Sequence, residues 1–230
     1  KARCGLGLRS FVPLRRESAF GKLLFCLGKH KKFTTYVDVF TSWGGSGLLI
    51  LGGMINSTNS RQKTLVGWEI DAEVHEGATL AYNELLANKP LNSQPYINIT
   101  HGSTMKPFTI TGTIESTKGG IGSLVDFCKL HGRADVIFSD SDNGTQWKLD
   151  DSKTIDTQEL FVLRDQCKPK ILCLMNTLVN GNVYHPDKYQ FYKSMQESKE
   201  YALLVEGDSY AVGCVDVMFD NRMFACYIHK

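Results

Sequence analysis

The sequence predicts an α/β fold built on a largely parallel sheet with helices on both faces. Three observations predict it. Short β-branched apolar runs alternate with helical segments along most of the chain, which is the pattern of strands joined by helical crossovers. The first such run breaks into "FTSWGGSGLLILGG" (40–53), with five glycines, and resumes as an apolar helix. The last thirty residues, "YALLVEGDSYAVGCVDVMFDNRMFACYIHK", carry β patterning and no helical period.

"TTYVDVF" (34–40) reads as the first strand, and a helix follows from about Ser46 to Ile55. "KTLVGWEI" (63–70) is the second strand; the helix after it, "DAEVHEGATLAYNELLANK", opens on acids that suit the positive end of a helix dipole. "PYINIT" (95–100) is the third strand, and "IGSLVDFCKLHG" (121–132) a helix closed by glycine. "RADVIFSD" (133–140), a helix over "TQELFVLRDQC", "KPKILCLMN" (168–176) and a helix over "DKYQFYKSMQES" complete the alternation. The tail is expected to form antiparallel strands with turns at "EGDS" and "FDNR".

At 230 residues the chain is long enough for one sizeable core. No stretch approaches the eighteen apolar residues of a membrane span. The seven cysteines are odd in number and form no CxxC pair, which predicts reduced thiols in a reducing compartment, cytoplasmic or organellar, and no zinc site. The net charge of +2 conceals an asymmetry: residues 1–32 hold nine Lys/Arg and one acid, Glu17, and the remainder is acidic. That Arg-rich amino end matches either the boundary of an organellar transit peptide or a solvated arm lying on an acidic surface, of its own domain or of a protein partner. It lacks the aromatic interleaving and module of a nucleic-acid binder, so no nucleic-acid partner is expected.

In such sheets ligands lie at the carboxyl ends of the strands, near the switch in strand order. Chemistry is therefore sought just after residues 39, 69, 100, 139 and 175. After the first strand, Gly44, Gly45 and Gly47 let backbone N–H groups approach a ligand, and the helix beginning there favours an anionic group. Glu69 ends the second strand, where a carboxylate accepts from both ribose hydroxyls. Alone, each has a plain reading: glycines are common in turns, and Glu69 is also a solvated acid at a helix start. A dinucleotide fold is disfavoured, because "GSGLLI" places Ile50 where the third fingerprint glycine belongs. His101 and His131 read as polar edge residues rather than bases.

The later strand ends narrow the choice. "VIFSDSDNG" (136–144) resembles the "FVDAD" turn of the caffeoyl-CoA and catechol O-methyltransferases, and "MNTLVNGNV" (175–183) resembles their "DNTLWNGSV". "VDVFTSWGGSG" (37–47) is similar to their "E-x-G-x-x-x-G-x-S" loop, so the resemblance runs in order across residues 33–230. It implies a class I S-adenosylmethionine-dependent methyltransferase fold: a Rossmann-like, seven-stranded, mostly parallel sheet with an antiparallel last strand. Residues 1–32 then stand apart as a basic arm or helix. The resemblance implies a cofactor set of Asp38 as the acid of the first loop, Gly44 and Ser46 in that loop and Glu69 at the ribose. Gly102 and Ser103 match positions beside the adenine. Asp140 matches the methionine-side acid and first metal aspartate, and Asn176 the metal-binding asparagine.

Three positions depart from that pattern. The first loop glycine is Phe40, the second metal aspartate is Met175, and the lysine base of the catechol branch falls at Asn143. Magnesium prefers oxygen ligands and does not favour a thioether, so Asp140 and Asn176 are expected to be a remnant holding no metal. A missing general base typically costs about 10²–10⁴ in rate. Methyl transfer leans on placement, which can contribute roughly 7–11 kcal/mol. Two function classes follow: an O-methyltransferase acting without metal on a small hydroxylated acceptor, or a catalytically silent methyltransferase-like subunit of a larger complex. Phe40 and Trp43 together are expected to close the cofactor site in part and to weaken binding of S-adenosylmethionine.

Overall fold

The computed structural model describes residues 18–101 apart from positions 40, 42–43, 59–60, 70, 88 and 91–93. It further describes residues 127–128, 133–139, 148–150, 153–154, 160–161, 163–175 and 186–230 apart from 212–219. In chain order the elements are α1 (Ala19–Lys29), β1 (Thr35–Val39), α2 (Gly45–Ile55), β2 (Thr64–Glu69), α3 (Ala72–Leu86), β3 (Tyr96–His101) and β4 (Val136–Ser139). A small ribbon, β5 (Lys148–Asp150) with β6 (Lys153–Thr154), precedes a π-helical turn at Leu163–Cys167. The chain continues through β7 (Ile171–Leu174), α4 (Pro186–Gln196), β8 (Tyr201–Ala211) and β9 (Asp220–His229).

Seven strands form one sheet in the order β3-β2-β1-β4-β7-β9-β8. Pairings from β3 to β7 are parallel, and β9 runs antiparallel to both β7 and β8. The expected mostly parallel, seven-stranded sheet with an antiparallel last strand is the sheet observed. The chain builds outward from β1 through β2 to β3 and then returns to place β4 on the other side of β1, so the order reverses between β1 and β4.

Period-two alternation divides the buried side chains between the two faces. Val37, Val39, Val66, Trp68, Ile137 and Leu172 pack with Phe191, Tyr192 and Met195 of α4. Tyr36, Leu65, Val136 and Phe138 pack on the other face with Phe20 and Leu24 of α1, Ile50 and Leu51 of α2, and Tyr82 of α3. Residues 19–29, part of the basic amino-terminal segment, thus form a helix whose apolar side is core. Ser18 starts α1 by accepting from Gly21 N–H at 3.0 Å. Gly28 and Gly53 let α1 and α2 touch backbone to backbone: a Cβ at either would overlap main-chain atoms of the facing helix. Among the described residues, no helix is long and apolar enough to cross a membrane.

Four expectations are corrected. "EGDS" (206–209) is not a turn: β8 runs straight through it, and Gly207 lies opposite Phe224, whose ring sits 3.4 Å from where a Cβ would be. The aromatic covers the glycine, a packing that local turn chemistry does not reveal. "FDNR" is not a turn either, since β9 already begins at Asp220. The cysteines are not all reduced: Cys128 pairs with Cys167 and Cys173 with Cys226, while Cys26 is free and exposed. Cys173 and Cys226 are register partners on β7 and β9, a proximity that fifty-three residues of separation conceal. The compartment expectation drawn from free thiols loses that support. The helix expected over 157–167 is, at Leu163–Cys167, a π-turn closed by Lys168 (φ +41) before Pro169.

Candidate cofactor site

The site is built at the carboxyl ends of β1 and β2. Asp38, fully buried, is the penultimate residue of β1, and Ser46 in the first turn of α2 donates its hydroxyl to the two Asp38 carboxylate oxygens at 3.1 and 3.0 Å. This contact fixes where α2 starts relative to the strand. Gly44 caps α2 in the left-handed region (φ +88), which glycine adopts without strain. Its carbonyl accepts from Leu48 N–H at 2.7 Å.

Gly47 is small for a reason other than ligand approach. A Cβ there would overlap the Tyr82 hydroxyl and lie 2.9 Å from Asp38 Oδ2. Tyr82 reaches from α3 beneath the loop, fully buried, and its hydroxyl has no hydrogen-bond partner. Burial, reinforced by the Asp38 charge, pushes the Tyr82 phenol well above its ordinary range, so it remains protonated. Thr41 completes the loop: its N–H donates to Trp68 O at 2.9 Å and its hydroxyl sits where a side chain at Gly67 would be.

Glu69, the last residue of β2, is 6% exposed, and its Oε1 accepts from Asp71 N–H at 2.9 Å. Asp71 in turn caps α3, its Oδ1 accepting from Glu73 and Val74 N–H. Directly opposite Glu69 in the β2–β3 register stands His101, whose ring stacks on His75 at 5.4 Å. Trp68 Nε1 and Ser139 Oγ, at the ends of β2 and β4, are also buried without partners. Both face Val39 in the sheet register, so the two strand ends that flank β1 each carry a buried polar atom without a partner.

The glycine loop, a buried acid beneath it and a second acid on the next strand occupy the switch in strand order of a sheet whose seventh strand is inserted antiparallel. Solved structures share this architecture. An O-methyltransferase from Bacillus cereus, solved in complex with SAH, superposes with a TM-score of 0.57 at 13% identity, covering 91% of this chain and 80% of that one. The chain has the class I methyltransferase fold. The O-methyltransferase TomG from Streptomyces achromogenes, solved with SAM, gives 0.53 at 13% identity over 94% and 82% of the two chains. A putative RNA methyltransferase from Pyrococcus horikoshii gives 0.51 at 9% identity over 91% and 83%. No family model matches the sequence, and no curated protein does. Neighbours with such different acceptors show that the methyltransferase fold does not choose the acceptor.

Of the residues expected at a methyltransferase cofactor site, Asp38, Gly44, Ser46 and Glu69 are brought to adjoining strand ends. Gly102, Ser103, Asp140 and Asn176 lie outside the described residues, as do Phe40, Trp43, His131 and Asn143. Met175, at the expected second metal position, is 3% exposed and packs in the apolar cluster with Phe138, Cys173 and Phe224. Among the described residues no group of three or more His, Cys, Asp or Glu side chains could hold a metal ion. Sequence reasoning missed Thr41, Gly67 and Tyr82. The only available signal was Gly67 itself, a glycine inside an otherwise apolar strand, which marks close approach of another segment.

Proposed function

We propose that this chain binds S-adenosylmethionine across the carboxyl ends of β1 and β2 and acts as an O-methyltransferase on a small hydroxylated acceptor without a divalent metal. The observation that carries the reading is the Asp38–Ser46 contact, which fixes a glycine turn beside a buried carboxylate, Glu69, on the neighbouring strand. The donor set fits the cofactor. Glu69 would accept from the ribose, the first backbone N–H groups of α2 would meet the methionine carboxylate, and Asp38 would supply negative charge beneath the loop. By the sequence resemblance, Gly102 and Ser103 flank the adenine and Asp140 the methionine end. The cofactor supplies an electrophilic methyl group; the chain's part is to orient it and exclude water.

A second reading, a catalytically silent subunit held in a larger complex through its basic amino-terminal segment, is favoured by one observation. Met175 is packed into the core where the resemblance asks for a metal-binding acid.

Calorimetric titration of S-adenosylmethionine into the wild type, Glu69→Gln and Phe40→Gly tests the cofactor. Loss of a charge-assisted hydrogen bond, about 1.5–3 kcal/mol, weakens Glu69→Gln roughly ten- to hundred-fold, and Phe40→Gly binds more tightly than the wild type. A wild type giving no heat would overturn the reading. Binding without methyl transfer to any of a panel of phenols and catechols selects the silent subunit.

A further inference from the structure

The carboxyl ends of β2 and β3 carry a second polar side chain beside Glu69 that the site as described does not use. We propose that His101 is a ligand-contacting residue which, with Glu69, selects a ligand bearing a ribose-type vicinal diol, and that His75 is the positioning residue that holds it. The proposal rests on the cofactor reading of Glu69 and extends it to the neighbouring strand.

Three observations carry it. Glu69 and His101 are register partners at the last positions of adjacent parallel strands, so their side chains leave the sheet on the same face, with the strands about 4.8 Å apart. The His101 ring lies against His75 at 5.4 Å between centroids and 29° between planes. His75 is itself fixed, since its Nε2 lies 2.9 Å from the Ile99 carbonyl oxygen. A carbonyl only accepts, so His75 Nε2 carries the proton and donates. Both members of the Glu69–His101 pair are thus oriented from the amino-terminal end of α3: Glu69 by the N–H of its cap residue Asp71 at 2.9 Å, and His101 by the anchored His75 ring in the first turn.

The chemistry of the pair is complementary to a diol. A carboxylate only accepts, and with Oε1 already taking the Asp71 N–H Glu69 takes one hydroxyl proton rather than the two that its place at the strand end suggests; an imidazole beside it both donates and accepts, and it engages the second oxygen. Two groups of this kind on neighbouring strand ends match two vicinal hydroxyls better than one. Glu69 alone would bind either hydroxyl; Glu69 with His101 requires both.

S-adenosylhomocysteine and its 2′-deoxy analogue, titrated calorimetrically into wild type, His101→Ala, His101→Gln and His75→Phe, provide the test, with thermal melts confirming that each variant is folded. The wild type should prefer the ribose ligand over the deoxy analogue by about ten-fold or more, the scale of one hydrogen bond. His101→Ala should bind S-adenosylhomocysteine about ten-fold more weakly and lose most of that preference. His101→Gln, which retains a donor and an acceptor, should recover part of both. His75→Phe keeps a stacking ring but not the bond to Ile99, and should show an intermediate loss. A wild type that binds S-adenosylhomocysteine while His101→Ala binds it equally well and keeps the preference overturns this proposal alone. A wild type that binds neither ligand overturns it together with the cofactor reading.

Discussion

The Lys63 ammonium donates to the Gly28 carbonyl oxygen at 2.7 Å and thereby ties the last turn of α1 to the start of β2. It also reaches the His30 carbonyl at 2.8 Å and the Tyr36 hydroxyl at 3.3 Å, although the residue is only 4% exposed. Burial holds this ammonium below the ordinary lysine range, opposed by the Asp135 charge. The carbonyls it meets lie at the end of α1, where a helix leaves its last C=O groups to partners outside it, and the Tyr36 hydroxyl also donates to Gly28 O at 3.2 Å. Lys63→Met should cost about 1.5–3 kcal/mol in urea unfolding, because it removes charge-assisted hydrogen bonds to two carbonyls at the end of α1. Protection from hydrogen exchange in α1 should fall more than in β1. Equal loss across the molecule would show that Lys63 is not what docks the helix.

Asp135 should govern stability in acid. Burial alone would raise its carboxyl, but the Lys170 ammonium at 2.5 Å and the backbone N–H groups of Thr34 (2.7 Å) and Thr35 (3.1 Å) outweigh burial and hold it below the ordinary carboxylate range. A depressed folded-state value means that the contribution is complete above the unfolded value of about 4. It is lost as pH falls through the folded value. Asp135→Asn should therefore be less stable than wild type at pH 7 and should show a flatter decline below pH 4. Parallel acid limbs in the two proteins would contradict this.

Tyr82 and Gly47 should be energetically coupled. Gly47→Ala drives a methyl group into the Tyr82 hydroxyl and should cost about 1–3 kcal/mol. Tyr82→Phe removes a buried hydroxyl without a partner, and should be neutral or stabilising by about 1 kcal/mol. In the double variant the alanine should cost less than it does alone, and denaturant unfolding measures the difference. Strict additivity would mean that the loop moves aside freely.

The Cys173–Cys226 pair clamps β9 to β7 across a separation of fifty-three residues. Closing a loop of that size restricts the unfolded chain, so Cys226→Ser should cost about 2–4 kcal/mol under oxidising conditions. With reductant present, wild type and variant should converge. A gap that persists in reductant would assign the effect to packing rather than to the cross-link.

Most of the sheet was legible because each strand carries its own β-branched run, and the antiparallel ending followed from a tail with no helical segment. Asp38 and Glu69 were legible because strand ends are where such sheets bind. What escaped is what the register alone creates. Tyr82 meets Gly47 only because α3 lies across the first loop, and Lys63 reaches Gly28 only because α1 descends to the start of β2. Cys226 meets Cys173 only because β9 enters beside β7. The β8 stretch through Gly207 misled for the same reason, since its partner Phe224 lies on another strand.

The position of β9 has a consequence for how the molecule is made. Strand β8 is held in the sheet by β9 alone, with no pairing to β7. As the chain leaves the ribosome, β1 through β7 can associate in order, but β8 emerges with no edge to join. It must wait for residues 220–229, which arrive later and fill the gap between two strands already synthesised. Until then β7 presents an unpaired edge, and the nascent chain is most open to non-native strand addition at that point. A stop before Asp220 would remove one strand from the sequence and two from the sheet.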